Sequence, residues 1–200
     1  MKTKSFNYLL VEHHEKLKTV PLPVELMMGM RDRETLGALA LQYDTGLGVF
    51  EFGTWRGLTT GYLADLISPS PVYTLETLED FSEVQVDNIG IEYKGKTNVH
   101  QVFADSMSWV WAKDVGQRKF DLVFVDAGHS EENVRNDAGI AEKILRPGGL
   151  LVLHDYDENN TPGVCRYVES TKRDDWVLVE GTNMAIREIK KGKCNGNCNC

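Results

Sequence analysis

Cysteine is nearly absent from the body of this 200-residue chain: of four, only Cys165 lies there, while Cys194, Cys198 and Cys200 crowd the last seven residues. That distribution excludes a disulfide framework. The tail, residues 191–200, has no apolar side chain to anchor it and reads as a disordered terminus. Three close thiolates could instead capture a soft metal, but a closed structural zinc site takes four ligands and no histidine stands nearby, so the tail is left out of the site. Long apolar runs are missing too. None approaches the roughly 18–20 residues of a membrane span, and the start Met1-Lys2-Thr3-Lys4-Ser5 lacks a signal peptide's apolar stretch, which points to a cytoplasmic protein without a membrane partner. Basic charge is short, with 22 Lys and Arg against 30 Asp and Glu and a net charge of −8. No face rich in Lys and Arg is available, so sequence-independent binding of nucleic acid is excluded. Repeats, low-complexity stretches and linkers are also lacking before the tail. A composition 42% hydrophobic and 26% charged is that of a globular chain of one domain.

What is present is alternation. From about residue 48 short apolar runs take turns with amphipathic stretches, the pattern of βα units on a mostly parallel sheet. Gly48–Phe52, Pro71–Leu75, Val99–Phe103, Phe120–Val125 and Leu150–Leu153 read as five strands. Apolar residues at 134, 138, 141, 144 and 145 give a helical period, stopped at Arg146-Pro147-Gly148-Gly149. Pro162 opens another helix, and Trp176–Glu180 with Asn183–Ile189, joined at Gly181-Thr182, predict a closing antiparallel hairpin. Residues 1–45 read as helices, broken at Pro21-Leu22-Pro23, that lead into the first strand. The expectation is a three-layer, Rossmann-like α/β fold over residues 46–190, with seven strands and an N-terminal helical extension.

In open α/β sheets, ligands bind at the carboxyl ends of the strands. Here those ends are polar. Glu51-Phe52-Gly53-Thr54-Trp55-Arg56-Gly57 has glycines for a tight turn and a close backbone approach at a helix N-terminus. It has neither the Gly-x-Gly-x-x-Gly of a dinucleotide fold nor the Lys and Ser/Thr of a P-loop. Glu76, 23 residues beyond Gly53, stands where a carboxylate accepts hydrogen bonds from both hydroxyls of a ribose, although Glu79 and Asp80 also allow a solvated helix start. Asp105 could accept from an adenine amino group or cap a helix beginning at Ser106. Asp126, His129, His154 and Asp155 follow two strands expected to be neighbours, so they converge on one cleft. Three readings stay open for them: a metal site, metal-free acid–base chemistry through a histidine, and a hydrogen-bonded network shaping the loops. Trp55, Arg56 and Tyr156 flank the cleft, where each serves a ligand or packs the rim. The stretch Met27-Met28-Gly29-Met30 is either a lid or ordinary helix packing, and His13-His14 reads as a solvated face.

Over residues 46–189 these features resemble the class I methyltransferases that use S-adenosylmethionine (SAM). More narrowly, Phe124–Val134, Leu145–Gly149, His154-Asp155-Tyr156 and Pro162-Gly163-Val164 are similar to a small subgroup, methyltransferase family 24. The resemblance implies that SAM is held by Glu51, Gly53, Thr54, Trp55 and Gly57, by Glu76, by Asp105 and Ser106, and by Asp126. Among the strand-end residues, Asp126, His129 and His154 are the catalytic candidates under the acid–base reading. Related sugar O-methyltransferases hold a divalent ion with carboxylates after the fourth and fifth strands, which implies a metal at Asp126, His154 and Asp155. Where those relatives have two adjacent acids this chain has His-Asp, a mixed set that suits manganese, iron or zinc at least as well as magnesium. The implied activity is methyl transfer to a small-molecule acceptor, on a hydroxyl oxygen. N-methylation is the alternative enzyme, although the Asn/Asp-Pro-Pro-Tyr motif of amino-group methylases is missing. A non-catalytic adenosyl-ligand or metal-binding module is the alternative outside enzymes. The sequence leaves monomer and homo-oligomer equally open.

Overall fold

A computed structural model describes residues 1–20, 28–79, 83–108, 115–171 and 175–190 of the chain. The Pro21-Leu22-Pro23 break, Met27, Asp80 and the three tail cysteines lie outside the described residues. The remaining chain runs β1 (Lys2–Lys4), α1 (Asn7–Glu12), α2 (His14–Thr19), α3 (Met30–Tyr43), β2 (Val49–Phe52), α4 (Leu58–Ile67), β3 (Val72–Glu76) and α5 (Glu83–Val86). After β4 (Val99–Phe103) and β5 (Phe120–Val125) come α6 (Glu131–Ile144), β6 (Leu145–Leu153), α7 (Pro162–Ser170), β7 (Val177–Val179) and β8 (Ala185–Glu188).

The strands form one sheet in the order β1-β7-β8-β6-β5-β2-β3-β4, with β8 antiparallel to β6 and β7 and the remaining pairs parallel. The α/β class, the parallel centre and the closing hairpin are as expected. Two details differ. The sheet has eight strands rather than seven, because Lys2–Lys4 pairs with Val177–Val179 at the edge. All three of those residues are exposed, so no apolar alternation marks them as a strand. In addition, Arg146-Pro147-Gly148-Gly149 does not separate helix from strand. α6 passes directly into β6, and the Pro-Gly residues are taken up by a register shift between Phe120 and Leu122 of the neighbouring strand.

Alternate strand residues feed two cores. Val49, Leu122, Phe124, Leu150 and Val152 pack with Leu36, Leu39, Leu63 and Leu66 of α3 and α4 on one face. Phe50, Phe52, Val123, Val125, Leu151 and Leu153 pack with Ile140 and Ile144 of α6 and Tyr167 of α7 on the other. Burial on both faces explains why β5 is apolar throughout Leu122–Val125, with Asp121 its one charged residue. Local chemistry fixes where the helices begin. Ser130 caps α6 by accepting from the Asn133 N–H, with Glu131 and Glu132 in the positive first turn, so the loop after β5 is only Asp126–Ser130. Pro162 occupies the first turn of α7, where its missing N–H costs nothing.

At the opposite end of the sheet from the polar strand ends, Asp121 ties α3 to the core. Its buried carboxylate accepts from the N–H groups of Thr45, Leu47 and Gly48, from the Thr45 hydroxyl and from Arg146 Nε. Burial alone would raise the pKa of this carboxyl, but the hydrogen bonds from Arg146, Thr45 and Leu47 outweigh it and hold the group below its ordinary value of 3.8. A carboxyl lowered on folding stabilises the protein above its unfolded pKa and ceases to do so as pH falls through the folded value. Asp121→Ala is therefore expected to cost roughly 3–5 kcal/mol in urea unfolding at pH 7, and less at pH 3. An equal cost at both pH values would contradict this role.

Candidate functional site

The chain leaves β2 toward β3 and β4 on one side and returns to β5 on the other, which makes the carboxyl end of β2 the topological switch point. Gly53, immediately after β2, has φ +93°, and a Cβ there would lie 2.1 Å from the Asp126 carbonyl oxygen. Only glycine lets the β2 and β5 loops approach this closely. Gly57, at φ +83°, begins α4 and likewise takes the left-handed conformation. Between them Trp55 adopts φ +46° without being glycine, its indole on the rim at 40% exposure.

The two larger cavities on these loops, among the described residues, hold the candidate residues. The larger, about 400 Å³, is lined by Gly53, Trp55, Glu76, Asp105, Ser106 and Asp126, with Asn133 and Asp137 of α6 on its wall. The smaller, about 200 Å³, is lined by Glu51, Gly53, Thr54, Trp55, Gly57, Asp126, His129, His154 and Asp155, with Met28 and Arg33 from the N-terminal segment. Gly53, Trp55 and Asp126 belong to both. Every residue singled out from the sequence as a cofactor, catalytic or metal candidate therefore lines one cavity or the other. Arg56 and Tyr156 line neither: Arg56 pairs with Glu92 at 2.7 Å, and Tyr156 packs against the second core.

Glu76, at the end of β3, is oriented before any ligand arrives. Its Oε2 accepts from the Trp55 N–H at 2.7 Å and its Oε1 from the Thr77 N–H at 3.0 Å. Glu51 is buried and accepts from the hydroxyls of Thr60 and Thr74. Burial pushes its carboxyl up to about 8 against those hydrogen bonds, so near neutral pH it is largely protonated. The Thr54 hydroxyl turns to Thr74 and Gln101 within the sheet. Asp105 Oδ1 accepts from the Met107 N–H at 2.9 Å, capping a turn, while the Ser106 carbonyl accepts from the Asn136 side chain.

The acid–histidine group is centred on His154, whose side chain is 6% exposed. Its Nδ1 lies 3.2 Å from Asp126 Oδ1 and 3.1 Å from Asp155 Oδ1, and its Nε2 lies 3.2 Å from Asp32 Oδ2. Asp155 Oδ2 lies 2.8 Å from Nε2 of the half-exposed His129. Burial alone would lower the pKa of His154, but the three carboxylates outweigh it and hold the ring well above the usual histidine range. The hydrogen bond that His129 donates to Asp155 likewise raises His129, while the two imidazoles hold Asp155 well below the carboxylate range against its burial. Asp126, His154 and Asp155 each offer one donor atom within 4.8 Å of the others, the trio named from sequence as a metal set. With the other ring nitrogen of His154 backed by a carboxylate, one nitrogen and two oxygens fit a divalent ion of manganese, iron or zinc type.

Three residues of this region escape sequence reasoning. Asp32 and Arg33 sit in the first turn of α3, where an acid reads as an exposed helix start, yet both are buried. Asp137 left a usable signal, since it falls on the apolar face with Val134, Ala138 and Ala141. Buried in the wall of the larger cavity, its carboxyl is pushed up to about 6.

A family model described as a methyltransferase domain matches residues 50–156. No curated protein matches the chain. Among solved structures, the O-methyltransferase TomG from Streptomyces achromogenes, in complex with SAM, is 21% identical, with 93% of this chain and 89% of that chain covered and a TM-score of 0.57. An O-methyltransferase from Bacillus cereus in complex with SAH is 20% identical, with coverage of 92% and 91% and a TM-score of 0.55. At such identities the likeness is one of fold. No helix among the described residues is long and apolar enough to cross a membrane.

Proposed function

The chain belongs to the methyltransferase-domain family whose model spans residues 50–156, and on that premise we propose that it transfers a methyl group from SAM to a hydroxyl oxygen of a small-molecule acceptor. The observation that carries this reading is the pair of cavities meeting at Gly53, Trp55 and Asp126. The larger suits the adenosine half: the Trp55 and Thr77 N–H groups orient the Glu76 carboxylate in the cavity wall, where it would meet the ribose hydroxyls, and Asp105 and Ser106 line the same cavity for the adenine end. Gly53, Trp55 and Asp126, which border both cavities, would hold the methyl-bearing end of the cofactor beside the smaller one. That cavity is walled by Met28 and Arg33, which supports residues 1–45 as the acceptor-side cover of a domain spanning 46–190.

SAM carries an already activated methyl group, so the protein's main task is alignment. Holding acceptor oxygen, methyl carbon and sulfur in line could supply up to ~7–11 kcal/mol of the barrier. The acceptor proton is the remaining task. His154 is ill placed to abstract it, being enclosed with both ring nitrogens against carboxylates. His129 is the open imidazole, with Asp155 orienting its ring and stabilising the cation formed when it takes the proton. Asp126, His154 and Asp155 would hold a divalent ion, which when bound supplies Lewis acidity that lowers the acceptor's pKa.

The test is transfer of labelled methyl from SAM to matched acceptor panels of alcohols, phenols, sugars and amines, with and without manganese, zinc or magnesium. The expected result is product on hydroxyl acceptors only. Amine products alone would replace this reading with N-methylation, and SAM binding without any product would replace it with a non-catalytic module.

A further inference from the structure

Asp32 is the one acid of the His154 group that comes from outside the parallel strand ends. It stands 122 residues away in sequence, on α3, and its side chain is 9% exposed. Each of its oxygens has a partner: Oδ2 meets His154 Nε2 at 3.2 Å, and Oδ1 accepts from the Asn183 N–H at 3.3 Å, in the turn before β8. The backbone donor fixes the carboxylate's orientation in the first turn of the 14-residue α3. Phe124 packs against the imidazole in a T-shaped arrangement, with ring centroids 6.0 Å apart at 60°. The ring is thus held in plane and in rotation, and the identity of the atom facing each nitrogen decides where its protons sit.

A carboxylate only accepts hydrogen bonds, so the nitrogen that faces Asp32 has to carry a proton. We propose that Asp32 is the positioning residue of this site, keeping a proton on Nε2 of His154 and turning Nδ1 toward Asp126 and Asp155. Nδ1 is then the nitrogen offered to whatever the two strand-end acids hold, a proton in the bare protein or a divalent cation. An acid behind a histidine fixes the tautomer and raises the basicity of the other nitrogen, and removing such a partner costs about 10–100-fold in metal affinity. The same contact clamps the start of α3, with Met28 and Arg33, against the end of β6 and the β8 turn, so the wall of the smaller cavity and the orientation of His154 are set together. This inference rests on the proposed function only in taking the cavity as the place of reaction; the ring geometry stands without it.

The test compares full-length wild type, Asp32→Asn and Asp32→Ala, labelled with nitrogen-15 in histidine, by long-range proton–nitrogen correlation spectra. His154 is assigned by its loss in His154→Gln. Zinc and manganese titrations, and separately a SAM titration, are run on the same samples. In wild type His154 is expected to be protonated on Nε2. In Asp32→Asn, whose amide can donate, the proton is expected to leave Nε2, and divalent affinity is expected to fall about 10–100-fold while SAM affinity changes less than twofold. A wild-type ring protonated on Nδ1 alone overturns the proposal without any variant, as does an unchanged ring spectrum in both substitutions. Should no divalent ion bind, the spectra alone decide. SAM failing to bind while the ring proton moves as expected would remove the cofactor reading and leave the role of Asp32 intact.

Discussion

Glu76→Ala is expected to weaken SAM binding about 100-fold, the larger of the cofactor effects. Two hydrogen bonds from ribose hydroxyls to an ionised acceptor contribute roughly 1.5 kcal/mol or more each, and about 3 kcal/mol corresponds to two decades in affinity. The removal also touches the loop, because the same carboxylate accepts from the N–H groups of Trp55 and Thr77. Trp55 holds a left-handed conformation that costs on the order of 1–3 kcal/mol, and Glu76 is one of the contacts that offsets it. Glu76→Gln separates the two contributions. Its amide oxygen can still meet the Trp55 N–H, but its NH₂ presents a donor where a ribose hydroxyl needs an acceptor. It should therefore bind SAM at least tenfold more weakly than wild type while losing less stability than Glu76→Ala, having kept the Trp55 contact and lost only that to Thr77. Isothermal titration and thermal unfolding of the three proteins provide the check, and an affinity for SAM unchanged in Glu76→Ala would remove the ribose assignment.

The second large effect is expected at Asp126, the carboxylate shared by both cavities. Asp126→Ala should lower methyl transfer by about 1,000-fold or more while SAM affinity falls less than fivefold, the signature of an interaction made chiefly at the reacting centre. The carboxylate borders the place proposed for the methyl group, holds Nδ1 of His154 at 3.2 Å and stands in the trio that fits a divalent ion. Its removal leaves His154 between Asp155 and Asp32, so the acceptor wall loses its alignment even where the fold survives. Single-turnover rates at saturating SAM provide the measurement. A parallel loss of cofactor affinity and rate would place Asp126 with the cofactor rather than with transfer.

The parts of this molecule legible in the sequence are those written in local pattern. The largely apolar runs at Val49–Phe52 and Phe120–Val125 announce strands, the second as one covered on both faces, and Ser130 and Pro162 announce helix starts. Because the sheet is parallel, residues that follow such runs meet at one end, which is why Gly53, Glu76, Asp105, Asp126, His154 and Asp155 could be gathered from their positions alone. What stayed hidden depends on partners distant in sequence. Lys2–Lys4 is a strand only because β7 lies beside it, with no apolar residue to mark it. Asp32 looks like a solvated first-turn acid until the fold brings His154 to it, and only packing reveals that its carboxylate is buried. The Pro-Gly pair at 147–148 reads as a stop, yet the pairing with β5 continues around it. Asp137 is the intermediate case: a charge on an apolar helix face is visible in sequence, but that it borders the larger cavity is not.

Whether the two joined cavities receive an adenosyl cofactor is measured by isothermal titration of metal-stripped protein with SAM and with its demethylated product, repeated with manganese, zinc and magnesium, with NAD as control. Micromolar binding of both adenosyl ligands, no binding of NAD, and heat from divalent ions that disappears in Asp126→Ala are expected. Silence with both adenosyl ligands under every condition would contradict the cofactor reading.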